Sequence, residues 1–221
     1  VRVLRIEQAM SSVVKPQCAP GRPKDLEKRA AILQAGKRLF PSHGFEGTSM
    51  DAIAAEAGVS KLTVYSHFTD KETLFKEVIR AKCEEQVPPT LFLADLKGPI
   101  GRQLLIIARA FFRLITSSES VALHRMMTAQ NPPSTKLAQL FWEAGPCRLQ
   151  DAFEGFLRAE IDGGQLEIPD PRRATSQFFC LLKGELHARM TFGCCESYTE
   201  RDVEAHLEAT VDMFLRAYVP R

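Results

Sequence analysis

Little in this chain points to chemistry at first reading. It has one tryptophan, three tyrosines and five histidines in 221 residues. The histidines stand at 43, 67, 124, 187 and 206, too scattered to outline a catalytic triad. No Walker loop, nucleophile elbow, HExxH or dinucleotide fingerprint occurs, which argues against the common enzyme classes. The six cysteines form no CxxC pair and no Cys/His spacing suited to zinc, so no metal or cofactor is expected. They read as reduced thiols; adjacent Cys194 and Cys195 are the only pair placed for redox chemistry. The longest apolar run, "LLIIARAFF", is interrupted by Arg109 and far short of a membrane span. The first residues carry no apolar leader, so a cytoplasmic location without membrane contact is expected, and Met10 is a candidate true start. Alternating strands and hairpin dipeptides are missing as well, which leaves an all-α reading.

Net charge is only +2, but it is unevenly spread. Residues 1–45 carry +6 and the remainder −4, as expected of a local contact with a polyanion. Overall basicity of a packaging protein is absent. Residues 1–21, with scattered Pro, Gly and Ser and no period, read as a flexible arm.

The rest reads as helices. "PKDLEKRAAILQAGKRLFPSHG" has Pro and acids early, Lys/Arg late and Gly44 after its end. Its inward stripe is read as Ala30, Leu33, Ala35, Leu39 and Phe40. Thr48 or Ser49 caps a second helix, in which Met50, Ile53, Ala54 and Ala57 share one face. Gly58 supplies a left-handed residue, Val59 fills the space beneath the turn, and Ser60 caps a third helix. "TDKE" fits a capping box, Thr69 with Glu72, opening a fourth helix that ends before Pro88 and Pro89. Further helices are expected near 99–117, 119–129, 134–144, 146–162, 170–192 and 199–218, with Gly145–Pro146 splitting or kinking one of them.

Two short helices about a glycine turn make a helix-turn-helix. Val64 and Phe68, at i and i+4, anchor the third helix, and Phe45 and Ile53 belong to the same core. Lys61, Leu62, Thr63, Tyr65, Ser66 and His67 are left on or beside the outer face. Hydroxyls and lysine can meet phosphates and base edges, and Leu62 or the Thr63 methyl a thymine methyl. The stretch "GTSMDAIAAEAGVSKLTVYSHFTDKETLF" resembles the DNA-binding domain of the TetR family of bacterial regulators. Ser49, Ile53, Ala54, Ala57, Gly58, Val59, Ser60, Thr63, Tyr65, His67, Phe68, Lys71, Glu72 and Leu74 match its pattern. The resemblance covers about residues 24–86. It implies a helical homodimer on a near-palindromic double-stranded operator, usually a repressor, released by a small ligand in the C-terminal domain. An activator or a ligand-independent regulator has the same fold. Carried over residue by residue, it places Thr48, Ser49, Lys61, Leu62, Thr63, Tyr65, Ser66, His67 and Lys71 at the DNA. Many members have glycine where Leu62 stands, a departure that bears on base preference. The Arg22–Lys24 segment is expected at the minor groove or backbone. Packing for Tyr65, capping for His67 and plain solvation for Lys71 are the alternatives.

The expected organisation is thus an arm (1–21), a helix-turn-helix domain (22–70) and a helical ligand-binding and dimerisation domain (71–221). The last part also resembles an AefR-type C-terminal domain. Phe178, Leu182 and Gly184 on one late helix, with Val211, Phe214 and Leu215 on the other, are expected at a four-helix dimer interface; an intrachain core is the alternative. Glycine in mid-helix costs about 1 kcal/mol against alanine, which close approach of a second helix would explain. "RQLLIIARAFFRLIT" is apolar almost all round, as a central helix should be. Phe112, Met127, Phe141, Trp142, Phe153 and Phe179 are candidate linings of a hydrophobic ligand pocket, with plain core as the alternative. His124 and His187 are candidate polar handles.

Overall fold

A computed structural model describes residues 25–93, 98–129 and 134–220. The arm, the Arg22–Lys24 segment, Met10 and Cys18 lie outside the described residues. The described chain folds into eleven helices with no strand among them. They are α1 (Leu26–Gly47), α2 (Met50–Glu56), α3 (Lys61–His67), α4 (Lys71–Gln86), α5 (Thr90–Leu93), α6 (Ile100–Thr116), α7 (Ser118–Thr128), α8 (Thr135–Ala144), α9 (Pro146–Asp162), α10 (Pro171–Phe192) and α11 (Glu200–Tyr218). The C-terminal helices fall within a residue or two of the sequence reading, and Gly145 does separate α8 from α9.

Local chemistry accounts for the boundaries. Asp25 starts α1 by accepting the Glu27 and Lys28 amides. Pro41 removes one ladder bond near the end of α1, and Gly44 breaks the helix at φ 75°. The buried stripe of α1 is Ile32, Leu33, Ala35, Gly36 and Phe40, whereas Ala30 is exposed. Ser49 caps α2, so Thr48 does not. Asp70, not Thr69, caps α4: its carboxylate accepts the Thr73 amide at 2.7 Å, and Thr69 is left to meet the Thr73 hydroxyl at 3.3 Å. A charged acceptor makes the stronger cap bond. Glu72 turns away to Lys136 at 2.6 Å.

Two apolar cores result. The first gathers α1, α2 and α3 with Leu74, Phe75, Val78 and Ile79 of α4 and Leu137 and Ala144 of α8. The second is built on α6, α9, α10 and α11. Helix α4 starts at the expected boundary, with Asp70 as its cap, but serves both sides of it. Its first three turns belong to the core of the helix-turn-helix, while Val87 just past its end belongs to the other core, and Cys83 packs against both. Arg29–Glu77 and Lys37–Glu85 (2.6 Å) ion pairs tie α4 to α1.

Helix α10 is bent at Gly184, where φ is 47°. A side-chain carbon there would lie 2.8 Å from the His206 ring of α11. His206 Nε2 donates to the Leu182 carbonyl at 2.9 Å, satisfying an acceptor beside the break. Close approach of a helix is thus what the glycine serves, and that helix is in the same chain. Four of the six residues expected at a dimer interface are covered within the chain, while Gly184 is exposed and Leu215 half-buried. Phe178, Leu182, Val211 and Phe214 are between 0% and 5% exposed within one chain, and Leu215 packs against Gly101 of α6. Phe178 and Phe214 meet edge to face at 4.9 Å. These residues are intrachain core because α11 lays its largest side chains on α6 and α10.

Candidate nucleic-acid interface and ligand cavity

The α2–α3 unit is built as its residue order dictates. The turn closes through Gly58 at φ 66°, a conformation only glycine adopts without strain. The Val59 amide donates to the Ala54 carbonyl at 3.0 Å. Ser60 Oγ accepts the Thr63 amide at 3.1 Å and lies 2.8 Å from the Thr63 hydroxyl. Val64 and Phe68 are 0% and 1% exposed, which pins α3 by one side. The opposite side faces solvent. Leu62 is 79% exposed and Tyr65 44%; Lys61 and Ser66 are exposed, and Thr63 and His67 half-buried. Helix α3 spans seven residues. An exposed leucine of that degree on a short helix has no packing role.

The remaining expected contacts separate into two groups. Ser49 stands exposed at the start of α2 with its hydroxyl engaged as the cap. Lys61 is exposed and reaches Asp51 at 2.8 Å, a hydrogen bond that raises its pKa. Thr48 and Lys71, by contrast, already have partners within the protein. Thr48 is 1% exposed, and its hydroxyl lies 2.7 Å from the Gly44 carbonyl and 3.2 Å from that of Leu39. It stabilises the broken end of α1. The Lys71 ammonium donates to the Phe45 carbonyl at 2.8 Å and sits 4.3 Å over the Phe45 ring. Thr48 thus keeps its hydroxyl within the protein, against its expected place at the DNA, whereas the Lys71 ammonium also lies 3.6 Å from the exposed Glu46 carboxylate.

A cleft opens between α4, α6, α7, α8, α9 and α10. It holds about 710 Å³ of empty space with its open mouth included. Phe141, Trp142 and Phe179 line it as expected. Phe112, Met127 and Phe153 do not. Phe112 points toward α11, 5.9 Å from the His206 ring; Phe153 is stacked on Phe178 at 4.8 Å in the second core; Met127 packs on the first core. Phe111, Leu114 and Ile115 occupy the α6 side instead. Arg102, Arg109 and Arg113 give α6 one exposed polar face, and Phe111 stands more nearly opposite it than Phe112, a period that the apolar-all-round reading passed over.

The polar groups of the cleft include Lys82, Ser120, His124 and Lys183. His124 Nδ1 lies 2.8 Å from the Ser120 carbonyl and must donate to it. Burial holds His124 below the ordinary histidine pKa. His187 stands behind it, 5.2 Å away ring to ring, and is pushed down to about 4 by burial and by the neighbouring His124 and Lys183 charges. Burial pushes the Cys83 thiol up to about 11, so it stays neutral. No group of His, Cys, Asp and Glu among the described residues is arranged to hold a metal. No helix among them is long and apolar enough to cross a membrane.

A helix-turn-helix joined by one helix to a larger helical bundle is the architecture of a DNA-binding regulator. Comparison with known proteins bears this out. Residues 32–78 match the profile described as bacterial regulatory proteins, tetR family, and residues 102–220 that of the AefR-like transcriptional repressor, C-terminal domain. A TetR-family regulator from Mesorhizobium loti superposes with a TM-score of 0.75 at 29% identity, over 90% of this chain and 100% of that one. The flavonoid-responsive regulator FrrA superposes with a TM-score of 0.67 at 34% identity, over 89% of this chain and 100% of that one. The transcriptional regulator RutR of Escherichia coli K12 is 31% identical over 135 residues, 61% of this chain and 57% of RutR; the match thus spans little more than half the length of that relative. The chain belongs to the TetR family.

Proposed function

We propose that this chain is a DNA-binding transcriptional regulator, a homodimeric repressor that a small apolar ligand releases from its operator. The observation that carries the reading is α3, buried along Val64 and Phe68 and dressed on its other side with Lys61, Leu62, Thr63, Tyr65 and Ser66. Those side chains have the donors, acceptors and methyl groups that read a major groove. Lys61 exchanges its Asp51 partner for a phosphate on binding, which contributes to salt dependence. Ser49 and His67 flank the helix within reach of the backbone.

The dimer forms over the outer face of α10 and α11, away from Phe178, Leu182, Val211 and Phe214, which are buried within one chain. Ala205, Ala209, Met213 and Ala217 recur every four residues and are all exposed, with Leu181 of α10 also uncovered. Small side chains allow helices of two subunits to approach closely, and a two-fold axis places two α3 helices about 34–36 Å apart.

The cavity supports ligand control because it abuts α4. Ile79, Lys82 and Cys83 line it, while Leu74, Phe75 and Val78 on the same helix belong to the helix-turn-helix core. A ligand that prefers one position of α4 biases the separation of the α3 helices by its affinity difference between the two states. That a relative is named for its response to flavonoids supports a small aromatic effector. Selection of bound fragments from the source genome tests the function, followed by a gel shift with random DNA as competitor. Preference for the selected fragment supports the reading; equal binding to both, or none, overturns it.

A further inference from the structure

The cavity has a charge character as well as an apolar one. Among its described lining residues there is no aspartate or glutamate, but there are two lysines and a histidine. Their situations differ. Lys82 on α4 is already paired with Glu119 at 3.2 Å. His124 has its Nδ1–H committed to the Ser120 carbonyl. Lys183 on α10, immediately before the bend at Gly184, makes no hydrogen bond and no ion pair among the described residues. It is half-buried and shares the cavity lining with Phe179, Phe141 and Trp142. A cation on an apolar wall without a counter-charge is an electrostatic demand that a ligand can meet. The rings set the shape of the rest, since offset or edge contacts favour a flat aromatic body.

We propose that the effector is an aromatic organic acid, its ring system among Phe111, Phe141, Trp142 and Phe179 and its carboxylate on the Lys183 ammonium. The inference rests on the ligand-cavity reading above and deepens it. Lys183 also joins the cavity to the bend of α10, whose far side is held by His206 of α11, so an anion there bears on the helix pair assigned to the dimer.

The test uses the full chain with Nile red as a neutral reporter of the cavity, and 2-naphthoate with its neutral isostere 2-naphthamide as competitors. Nile red should brighten on the wild type and much less on Leu149→Trp, which fills the cavity; circular dichroism checks that this variant is folded. If the dye fails to bind, or binds both proteins equally, the ligand-cavity reading falls and the acid proposal with it. Given dye binding, 2-naphthoate should displace it at roughly tenfold lower concentration than 2-naphthamide, as a charge-assisted bond requires. Lys183→Met, which keeps the apolar stem, should remove that difference and leave 2-naphthamide unchanged, whereas Lys82→Met should preserve it. Equal displacement by acid and amide, displacement by neither, or an acid preference that survives Lys183→Met overturns the proposal while the cavity stands.

Discussion

Thr48 separates two accounts of the same motif, one in which it touches DNA and one in which it holds α1 together. In the structure it is 1% exposed, and its hydroxyl lies 2.7 Å from the carbonyl of Gly44, where α1 breaks. Thr48→Val conserves shape and removes only that hydroxyl. The loss is one hydrogen bond plus any shortfall in satisfying a buried carbonyl, about 1–3 kcal/mol in total. For a chain of this size each kcal/mol moves the melting temperature by about 2–4 °C. A fall of roughly 2–12 °C is therefore expected on a thermal melt followed by circular dichroism. Thr48→Ser keeps the hydroxyl and should recover most of it. At 20 °C, where both proteins are folded, affinity for the selected operator should stay within about threefold of wild type, because a hydroxyl turned into the protein makes no DNA contact. A Thr48→Val protein that melts like wild type but binds the operator more than about tenfold more weakly would refute the assignment, since each specific contact carries an effect of that order.

The bend in α10 gives a second test. Gly184→Ala places a side chain at positive φ and within 2.8 Å of the His206 ring, and should destabilise the chain by about 1–3 kcal/mol. A straight helix would instead gain about 1 kcal/mol from the same change, so a raised melting temperature contradicts the bend. His187 is held near 4 against an ordinary value of 6.5, so the unfolded chain binds the extra proton. That stability is full above about pH 6.5 and is lost as pH falls toward 4; between pH 7 and 5 the loss is on the order of 2 kcal/mol for His187 alone. His124 adds in the same direction. Melting curves of His187→Gln should be flatter over that window, and equal pH slopes in both proteins would count against the burial argument. Operator affinity should fall steeply with salt, as phosphate contacts require, and a flat response would mean that α3 does not lie on a polyanion.

What the sequence disclosed and what it hid follow the range of the forces involved. The helix-turn-helix was legible because its determinants are local: the Ser49 and Ser60 caps, the left-handed Gly58, and Val64 with Phe68 one turn apart. Competing caps were harder, since Thr69 and Asp70 both suit the start of α4 and the carboxylate wins. Phe178, Leu182, Val211 and Phe214, expected at a dimer face, are buried within the chain for a physical reason. Helix α11 has two non-polar sides. The one with Val211, Phe214 and Leu215 is strongly hydrophobic and is used within the chain. The other, Ala205, Ala209, Met213 and Ala217, is mostly small and gives little hydropathy signal. Cavity lining was half legible: Phe141, Trp142 and Phe179 lie on it, but Phe112 and Phe153 turn into packing that depends on distant helices. Lys183 was invisible as a site residue because its significance is the lack of a partner, which only the fold reveals.

DNA recognition rests on the outward face of α3, and Leu62, which is 79% exposed there, probes it most directly. The decisive measurement is the affinity of Leu62→Glu for the selected operator, taken together with its melting temperature. A surface substitution of this kind should leave stability within about 0.5 kcal/mol of wild type. Bringing a carboxylate to the base edges and phosphates should weaken binding by about 100-fold or more. Binding within about threefold of wild type by a fully folded Leu62→Glu protein would place the DNA contact elsewhere and contradict the central claim.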